Sequence, residues 1–303
     1  MTIYFEGKMA EYNIKPATRT GNLSLPDTRT LHWYEWGPIT GKPLVFCTGA
    51  GMSGSLGFGE KELDRLNIRL IVPDRPGLGN SSQHNQKTLI SVAEDVTEIL
   101  KHCGLQKCMV LGFSQGATFA IALTKICKVT GLAIINGQDQ FSYPATHKLL
   151  NQDVANMVKQ RNEAPEKFKQ WISENMTADW LINFIMANSS EIDLELYSQP
   201  DFSNAYRQCV NEGFSQGSAG YVQDLLIALG QWPFEPEDIT CPVHLWYGRQ
   251  DTSTVHSPDF GAILSTRFPN AEYFVLNEEG GSLLWRKSKN ILEKLVLTYA
   301  NEK

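Results

Sequence analysis

Short runs of apolar residues recur along the chain, separated by polar or glycine-rich turns. Leu44–Thr48, Ile68–Val72, Met109–Leu111, Leu132–Asn136, Val243–Gly248 and Ala271–Asn277 are such runs. They are mostly continuous rather than alternating, which is the pattern of strands covered on both faces. Segments with helical patterning lie between them: Glu60–Leu66, Val92–Cys103, Ala117–Leu123, Asp259–Arg267 and a final helix near Leu283–Tyr299. In Val92–Cys103 the apolar positions Val92, Val96, Ile99 and Leu100 fall on one helix face. Thr30–Trp36 reads as an early strand, and residues 1–28, with Pro16 and Pro26, as an irregular lead-in. Strand and helix in alternation predict an α/β fold: a mostly parallel, doubly wound sheet with helices on both faces.

The alternation stops at Gly137 and resumes only after Pro236. The block between is helical in pattern and rich in aromatics, among them Phe168, Trp171, Trp180, Phe184 and Trp232. The predicted organisation is therefore a core in two parts, residues 1–137 and 237–303, interrupted by a helical cap over 138–236. Such an insertion is expected over the carboxyl ends of the strands, where open sheets bind ligands. Its aromatic residues are expected as cap core more than as substrate contacts.

Composition narrows the class. The chain has 303 residues, a formal net charge of -6, 42% hydrophobic and 20% charged residues, and no Lys/Arg-rich patch. A nucleic-acid partner is not expected. The first residues lack the basic-then-apolar profile of a signal peptide, and no apolar run reaches membrane-spanning length, so no membrane partner is expected either. The six cysteines form no C-x-x-C pair. They read as free thiols of a cytoplasmic protein, with no metal site.

Chemistry concentrates at Lys107–Ala120. The apolar run Met109–Leu111 leads into Gly112-Phe113-Ser114-Gln115-Gly116, and a buried-helix pattern follows. A strand, a G-x-S-x-G turn and a helix place Ser114 on a strained turn with an exposed hydroxyl, as a nucleophile requires. The helix N-terminus behind it favours developing negative charge. The same five letters recur at Gly213–Gly217, but no strand precedes that copy, and Ser215 reads as a loop or helix-start serine.

A second motif competes. Gly49-Ala50-Gly51-Met52-Ser53-Gly54 is G-x-G-x-x-G after a strand, and Asp74 follows about twenty residues on, as in a dinucleotide-binding fingerprint. Gly57 and Gly59 would interrupt the helix that this fingerprint needs. No cofactor is expected.

Taken together, Thr48-Gly49-Ala50-Gly51, the D-R-P-G-x-G-x-S stretch from Asp74 to Ser81, the turn at Ser114 and Gly248-Arg249-Gln250-Asp251 resemble a capped α/β-hydrolase-fold protein over residues 30–300. The resemblance implies Ser114 as nucleophile, the backbone N–H groups of Ala50 and Gln115 as oxyanion hole, Asp251 as the acid that orients a histidine, and Asp74 as a structural aspartate. It also implies a histidine in the loop after the last strand. That loop reads Asn277-Glu278-Glu279-Gly280-Gly281-Ser282, with Gly281 where the histidine belongs, so Gly281 is expected as a vacant base slot.

The six histidines present are the candidate substitutes. His32, His102 and His244 read as structural. His84, His147 and His256 lie on segments leaving the strands' carboxyl ends, and His256 is the favoured substitute base. Its closeness to Asp251 ties it to the loop of the acid and leaves its reach to Ser114 open. The resulting expectation is a serine hydrolase lineage acting on a small, partly apolar acyl compound, impaired or using an unusual base. A non-catalytic small-ligand-binding protein on the same scaffold is the alternative, and a dinucleotide-binding oxidoreductase a weaker one.

Overall fold

The computed structural model describes residues 14–301. Its eight described strands form one sheet in the order β1-β2-β4-β3-β5-β6-β7-β8. They are β1 (Arg19–Ser24), β2 (Thr30–Trp36), β3 (Lys42–Cys47), β4 (Ile68–Pro73), β5 (Lys107–Phe113), β6 (Lys128–Ile135), β7 (Val243–Gly248) and β8 (Ala271–Leu276). β1 pairs antiparallel with β2, and β2 with β4; every later pairing is parallel.

Except in β8, an edge strand whose residues are half-buried or exposed, the continuous apolar runs are explained by burial on both faces. Along β3, Leu44 and Phe46 enter one core while Val45 and Cys47 enter the other. Along β5, Met109, Leu111 and Phe113 face the first core, and Cys108 and Val110 the second. Successive side chains alternate across a strand, so an unbroken apolar run fills both layers. Helices α1 (Glu60–Leu66) and α13 (Ser288–Asn301) cover the first face through Leu63, Ile291, Leu292 and Leu295. Helices α2 (Leu89–His102), α3 (Gly116–Leu123) and α11 (Ala262–Arg267) cover the second. α2 opens on a capping box between Thr88 and Ser91.

Two elements differ from the sequence expectation. Part of the expected irregular lead-in is the edge strand β1, while residues 1–13 lie outside the described residues. β1 carries Leu23 as its one large apolar residue, so hydrophobic periodicity could not reveal it. Pairing with β2 holds it instead, and the Arg19 guanidinium bonds Glu35 across the ladder at 3.2 Å. The single final helix is two: α12 (Leu283–Arg286) and α13, separated at Lys287.

Between β6 and β7 the chain is helical: α4 (Pro144–His147), α5 (Gln152–Glu163), α6 (Pro165–Asn175), α7 (Ala178–Ala187), α8 (Glu191–Tyr197), α9 (Pro200–Gly213) and α10 (Ala219–Ala228). Local signals set several starts. Asn151 and Thr177 accept hydrogen bonds from the Val154 and Trp180 amides, and Pro165 and Pro200 stand in the first turns of α6 and α9. Among the described residues, no helix is long and apolar enough to cross a membrane.

Candidate active site

β5 ends at Phe113 and α3 begins at Gly116, leaving Ser114 on the turn between them. Ser114 has φ 53°, in the left-handed region that a side chain rarely adopts. Such a conformation costs on the order of 1–3 kcal/mol and persists only where its surroundings enforce it. Here the Ser114 amide donates to Ile135 O at 3.1 Å, and its carbonyl accepts from the Gln138 amide at 3.0 Å. The flanking glycines are sterically required. A Cβ on Gly116 would lie 2.1 Å from the Cys47 carbonyl oxygen, and one on Gly112 2.6 Å from the Ala117 Cα. The turn can form only because both positions lack side chains.

His256 makes the contact to Ser114 that the sequence left open. Its Nε2 lies 2.8 Å from Ser114 Oγ, and its Nδ1 2.6 Å from Asp251 Oδ2. A carboxylate only accepts, so the proton between His256 and Asp251 sits on Nδ1, and Nε2 accepts from the serine hydroxyl. The second Asp251 oxygen accepts the Ser253 amide at 3.0 Å. Asp251 lies on the loop after β7, past Arg249 and Gln250, and the five-residue step to His256 lets one loop present both groups.

The segment holding the imidazole is anchored from behind. The Ser257 amide donates to Gly137 O at 3.0 Å, and the Ser257 hydroxyl lies 3.2 Å from Asp139 and 2.9 Å from Asp259. Burial pushes the Asp139 carboxyl up to about 6; the charge of Asp259 adds to this, while the Gln140 amide, the Ser257 hydroxyl and Arg267 oppose it. No sequence signal marked Asp139.

Gly281 borders Asp251 from the other side. A Cβ there would lie 3.0 Å from Asp251 Oδ1 and 3.6 Å from Asp193 Oδ2. Asp193, from α8, accepts the Gly281 and Ser282 amides at 2.9 and 2.7 Å. Asn136 fixes the same loop: its side chain donates to Gly280 O at 2.7 Å and accepts from the Gly248 amide at 3.0 Å. Neither Asp193 nor Asn136 was legible in the sequence, since each acts on backbone groups remote along the chain.

Ser114, His256, Asp251, Ala50, Gln115 and Gly281 line one cavity of about 640 Å³. Neither the Ala50 amide nor the Gln115 amide has a protein acceptor among the described residues. The other walls come largely from the helices between β6 and β7. Trp171, Trp180 and Phe184, expected mainly as cap core, line the cavity, whereas Phe168 and Trp232 are core. Among the described lining residues there is no Lys or Arg, and the acidic ones are Asp153, Asp193 and Asp251. Burial raises the phenol groups of Tyr197, Tyr206 and Tyr221, which keeps these lining residues neutral.

The remaining candidates lie elsewhere. His84 Nδ1 is 3.3 Å from Ser91 Oγ and His147 Nδ1 is 3.0 Å from Phe141 O; neither lines the cavity. Ser215 follows α9 and donates to Gly79 O at 3.2 Å. Asp74 is buried, accepts the Gly54 and Asn80 amides at 2.6 and 2.9 Å, and meets His32 Nδ1 at 2.9 Å. The dinucleotide fingerprint fails on this geometry. Its helix should open at the glycines, but α1 begins only at Glu60, and the Asp74 oxygens are already occupied by the chain. Among the described residues, no group of acidic, histidine or cysteine side chains is arranged to hold a metal ion.

Comparison with known proteins agrees with this architecture. A family model described as alpha/beta hydrolase fold matches residues 42–287. The proline iminopeptidase of Arabidopsis thaliana is 30% identical over 120 residues, 38% of this chain and 32% of that protein. The matched stretch spans about a third of the length of the curated relatives. A solved hydrolase from Pseudomonas aeruginosa superposes with a TM-score of 0.67 at 16% identity, covering 93% of this chain and 99% of its own. An esterase from Exiguobacterium antarcticum gives 0.63 at 17% identity, covering 92% and 99%. At such identities the likeness is one of fold. With an eight-stranded, mostly parallel sheet and a family match over most of its length, the chain belongs to the alpha/beta hydrolase fold family.

Proposed function

We propose that this protein is a serine hydrolase in which Ser114, His256 and Asp251 act as a complete triad, the base coming from the loop of the acid. The observation that carries the reading is the pair of contacts made by one imidazole, 2.8 Å to Ser114 Oγ and 2.6 Å to Asp251 Oδ2. Ser114 attacks an acyl carbonyl while its proton passes to His256 Nε2. The Ala50 and Gln115 amides stabilise the oxyanion, and His256 returns the proton to the leaving group. Water then cleaves the acyl-enzyme with His256 again as base. Asp251 holds the tautomer and the imidazolium that forms.

The helices between β6 and β7 act as the cap, and their aromatic walls favour a small, partly apolar acyl compound. An ester, thioester or amide fits this chemistry. A lining with carboxylates and no Lys or Arg disfavours anionic substrates. Similarity to a proline iminopeptidase makes a proline amide one substrate to try. The free state of all six cysteines supports a reducing compartment and hence a cytoplasmic setting.

The test is labelling by a fluorophosphonate probe, together with turnover of p-nitrophenyl esters of several lengths and of proline p-nitroanilide. Stoichiometric labelling is expected, abolished in Ser114→Ala and slowed at least about 10²-fold in His256→Ala. A folded protein that is neither labelled nor active on the panel overturns the reading in favour of non-catalytic ligand binding.

A further inference from the structure

Arg75 belongs to the loop after β4, yet its guanidinium is buried and reaches the loop after β3. Its Nη1 donates to Thr48 O at 2.6 Å and Nη2 to Gly49 O at 2.9 Å. Its Nε donates to Asp224 Oδ2 at 2.7 Å, and its carbon lies 4.8 Å from the centre of the Phe119 ring on the helix behind Ser114. The other Asp224 oxygen pairs with the buried ammonium of Lys87, which also donates to Pro76 O at 2.6 Å. Burial pulls that ammonium below its ordinary range and Asp224 opposes the pull. Two cations and one carboxylate are thus enclosed, and the carbonyls of Thr48, Gly49 and Pro76 and the Thr48 hydroxyl supply the remaining acceptors.

The bond to Gly49 O has a consequence for its neighbour. In a trans peptide the carbonyl and the following N–H point in opposite directions, and no described peptide is cis. A guanidinium drawing Gly49 O to one side therefore turns the Ala50 N–H to the other. That amide has no protein acceptor among the described residues, and Ala50 lines the cavity with Ser114. A buried ion cluster is a rigid mount, because releasing any one member leaves an uncompensated charge. We propose that Arg75 is a positioning residue for catalysis: by clamping the carbonyls of Thr48 and Gly49 it holds the Ala50 N–H toward the oxyanion, and Asp224 ties that clamp to helix α10. The planar guanidinium fork spans two successive carbonyls and the carboxylate at once, which an ammonium cannot reproduce.

The proposal rests on the serine-hydrolase reading, so its test separates the two. Arg75→Lys keeps the charge and removes the fork. Ester hydrolysis is compared with the affinity for an alkyl trifluoromethyl ketone and for the corresponding methyl ketone. With the fluorinated ketone, Ser114 Oγ bonds to the carbonyl carbon, the carbonyl π pair moves onto oxygen, and the hydroxyl proton passes to His256 Nε2. The resulting hemiketal oxyanion needs the Ala50 amide; the methyl ketone stays uncharged. In Arg75→Lys, kcat should fall roughly 10²–10³-fold with KM within about threefold. Affinity for the fluorinated ketone should fall in parallel, and affinity for the methyl ketone should hold. A folded Arg75→Lys protein with unchanged kcat and ketone affinity overturns the clamp. An unsubstituted protein inert to esters and to the fluorinated ketone overturns the hydrolase reading itself, and the clamp with it. If Arg75→Lys does not fold, a crystal structure of the unsubstituted protein with the fluorinated ketone decides. Ala50 N within about 2.7–3.1 Å of the adduct oxygen, with Gly49 O still on Arg75, supports the clamp; an adduct oxygen held elsewhere overturns it.

Discussion

His256 Nε2 and Ser114 Oγ lie 2.8 Å apart although 142 residues separate them in sequence. β6, the helices α4 to α10 and β7 intervene, and parallel pairing of β5 with β6 and of β6 with β7 brings the loops after β5 and β7 to the same end of the sheet. This contact alters what Gly281 means. A loop after the last strand without a histidine implies an emptied base slot only if no other imidazole reaches the serine.

Refilling position 281 is accordingly expected to harm the unsubstituted protein rather than restore activity. In Gly281→His the new Cβ presses on Asp251 Oδ1 at 3.0 Å, and the new imidazole competes for the acid. His256→Ala should lower kcat by about 10³-fold or more, in the range a positioned general base contributes. The double variant His256→Ala with Gly281→His should recover at least about tenfold over His256→Ala, because Asp251 is then free to orient the transplanted ring. Steady-state kinetics on one ester settles all three. A gain in Gly281→His alone would show that His256 is not the working base.

Backbone strain at Ser114 gives a prediction independent of substrate. Glycine adopts φ 53° without the Cβ penalty that alanine meets there. Ser114→Gly should be roughly 0.5–1 kcal/mol more stable than Ser114→Ala, both being inactive. Urea unfolding of the two variants measures this, and equal midpoints would mean that the turn relaxes without its serine.

Asp139 should make stability depend on pH. Its carboxyl is raised from 3.8 to about 6 in the folded protein, chiefly by burial. Between those values the native state binds a proton that the unfolded chain lacks, so the contribution is fully present below about 4 and lost as pH rises through 6. The loss is at most about 3 kcal/mol, and Asp139→Asn removes it. Unfolding free energies at pH 4 and pH 7 should converge between the two proteins toward acid and favour Asp139→Asn near neutrality. Parallel pH profiles would contradict the assignment.

Asp193 holds two backbone amides of the last loop from helix α8. Asp193→Ala leaves those buried donors unpaired, at about 1–3 kcal/mol for an unsatisfied group. Calorimetry should show a lowered Tm. The same variant should raise KM more than it lowers kcat, because α8 loses its tie to the cavity floor while the triad contacts remain. A variant as stable as the parent would show that the amides find other partners.

The sequence alone determined the parallel part of the sheet, the strand–turn–helix at Ser114 and the helical block between β6 and β7, because each is written in local periodicity or in motifs a few residues long. The match of Thr30–Trp36, Glu60–Leu66 and Val243–Gly248 to the observed elements reflects that. It did not reveal β1, whose polar strand is held by ladder pairing to β2, nor the contacts of Asp139 with the Ser257 hydroxyl, of Asp193 with the Gly281 and Ser282 amides and of Arg75 with the Thr48 and Gly49 carbonyls, all brought together only by folding. Above all it left open whether His256 faces Ser114. A residue's direction from a loop depends on the anchors behind it, here Ser257 on Gly137 and Asp139, and no linear spacing encodes them. Tertiary structure decided which imidazole stands beside the serine because a hydrogen bond needs atoms within about 3 Å, a condition set by the packing of β5, β6 and β7 and the loops after them.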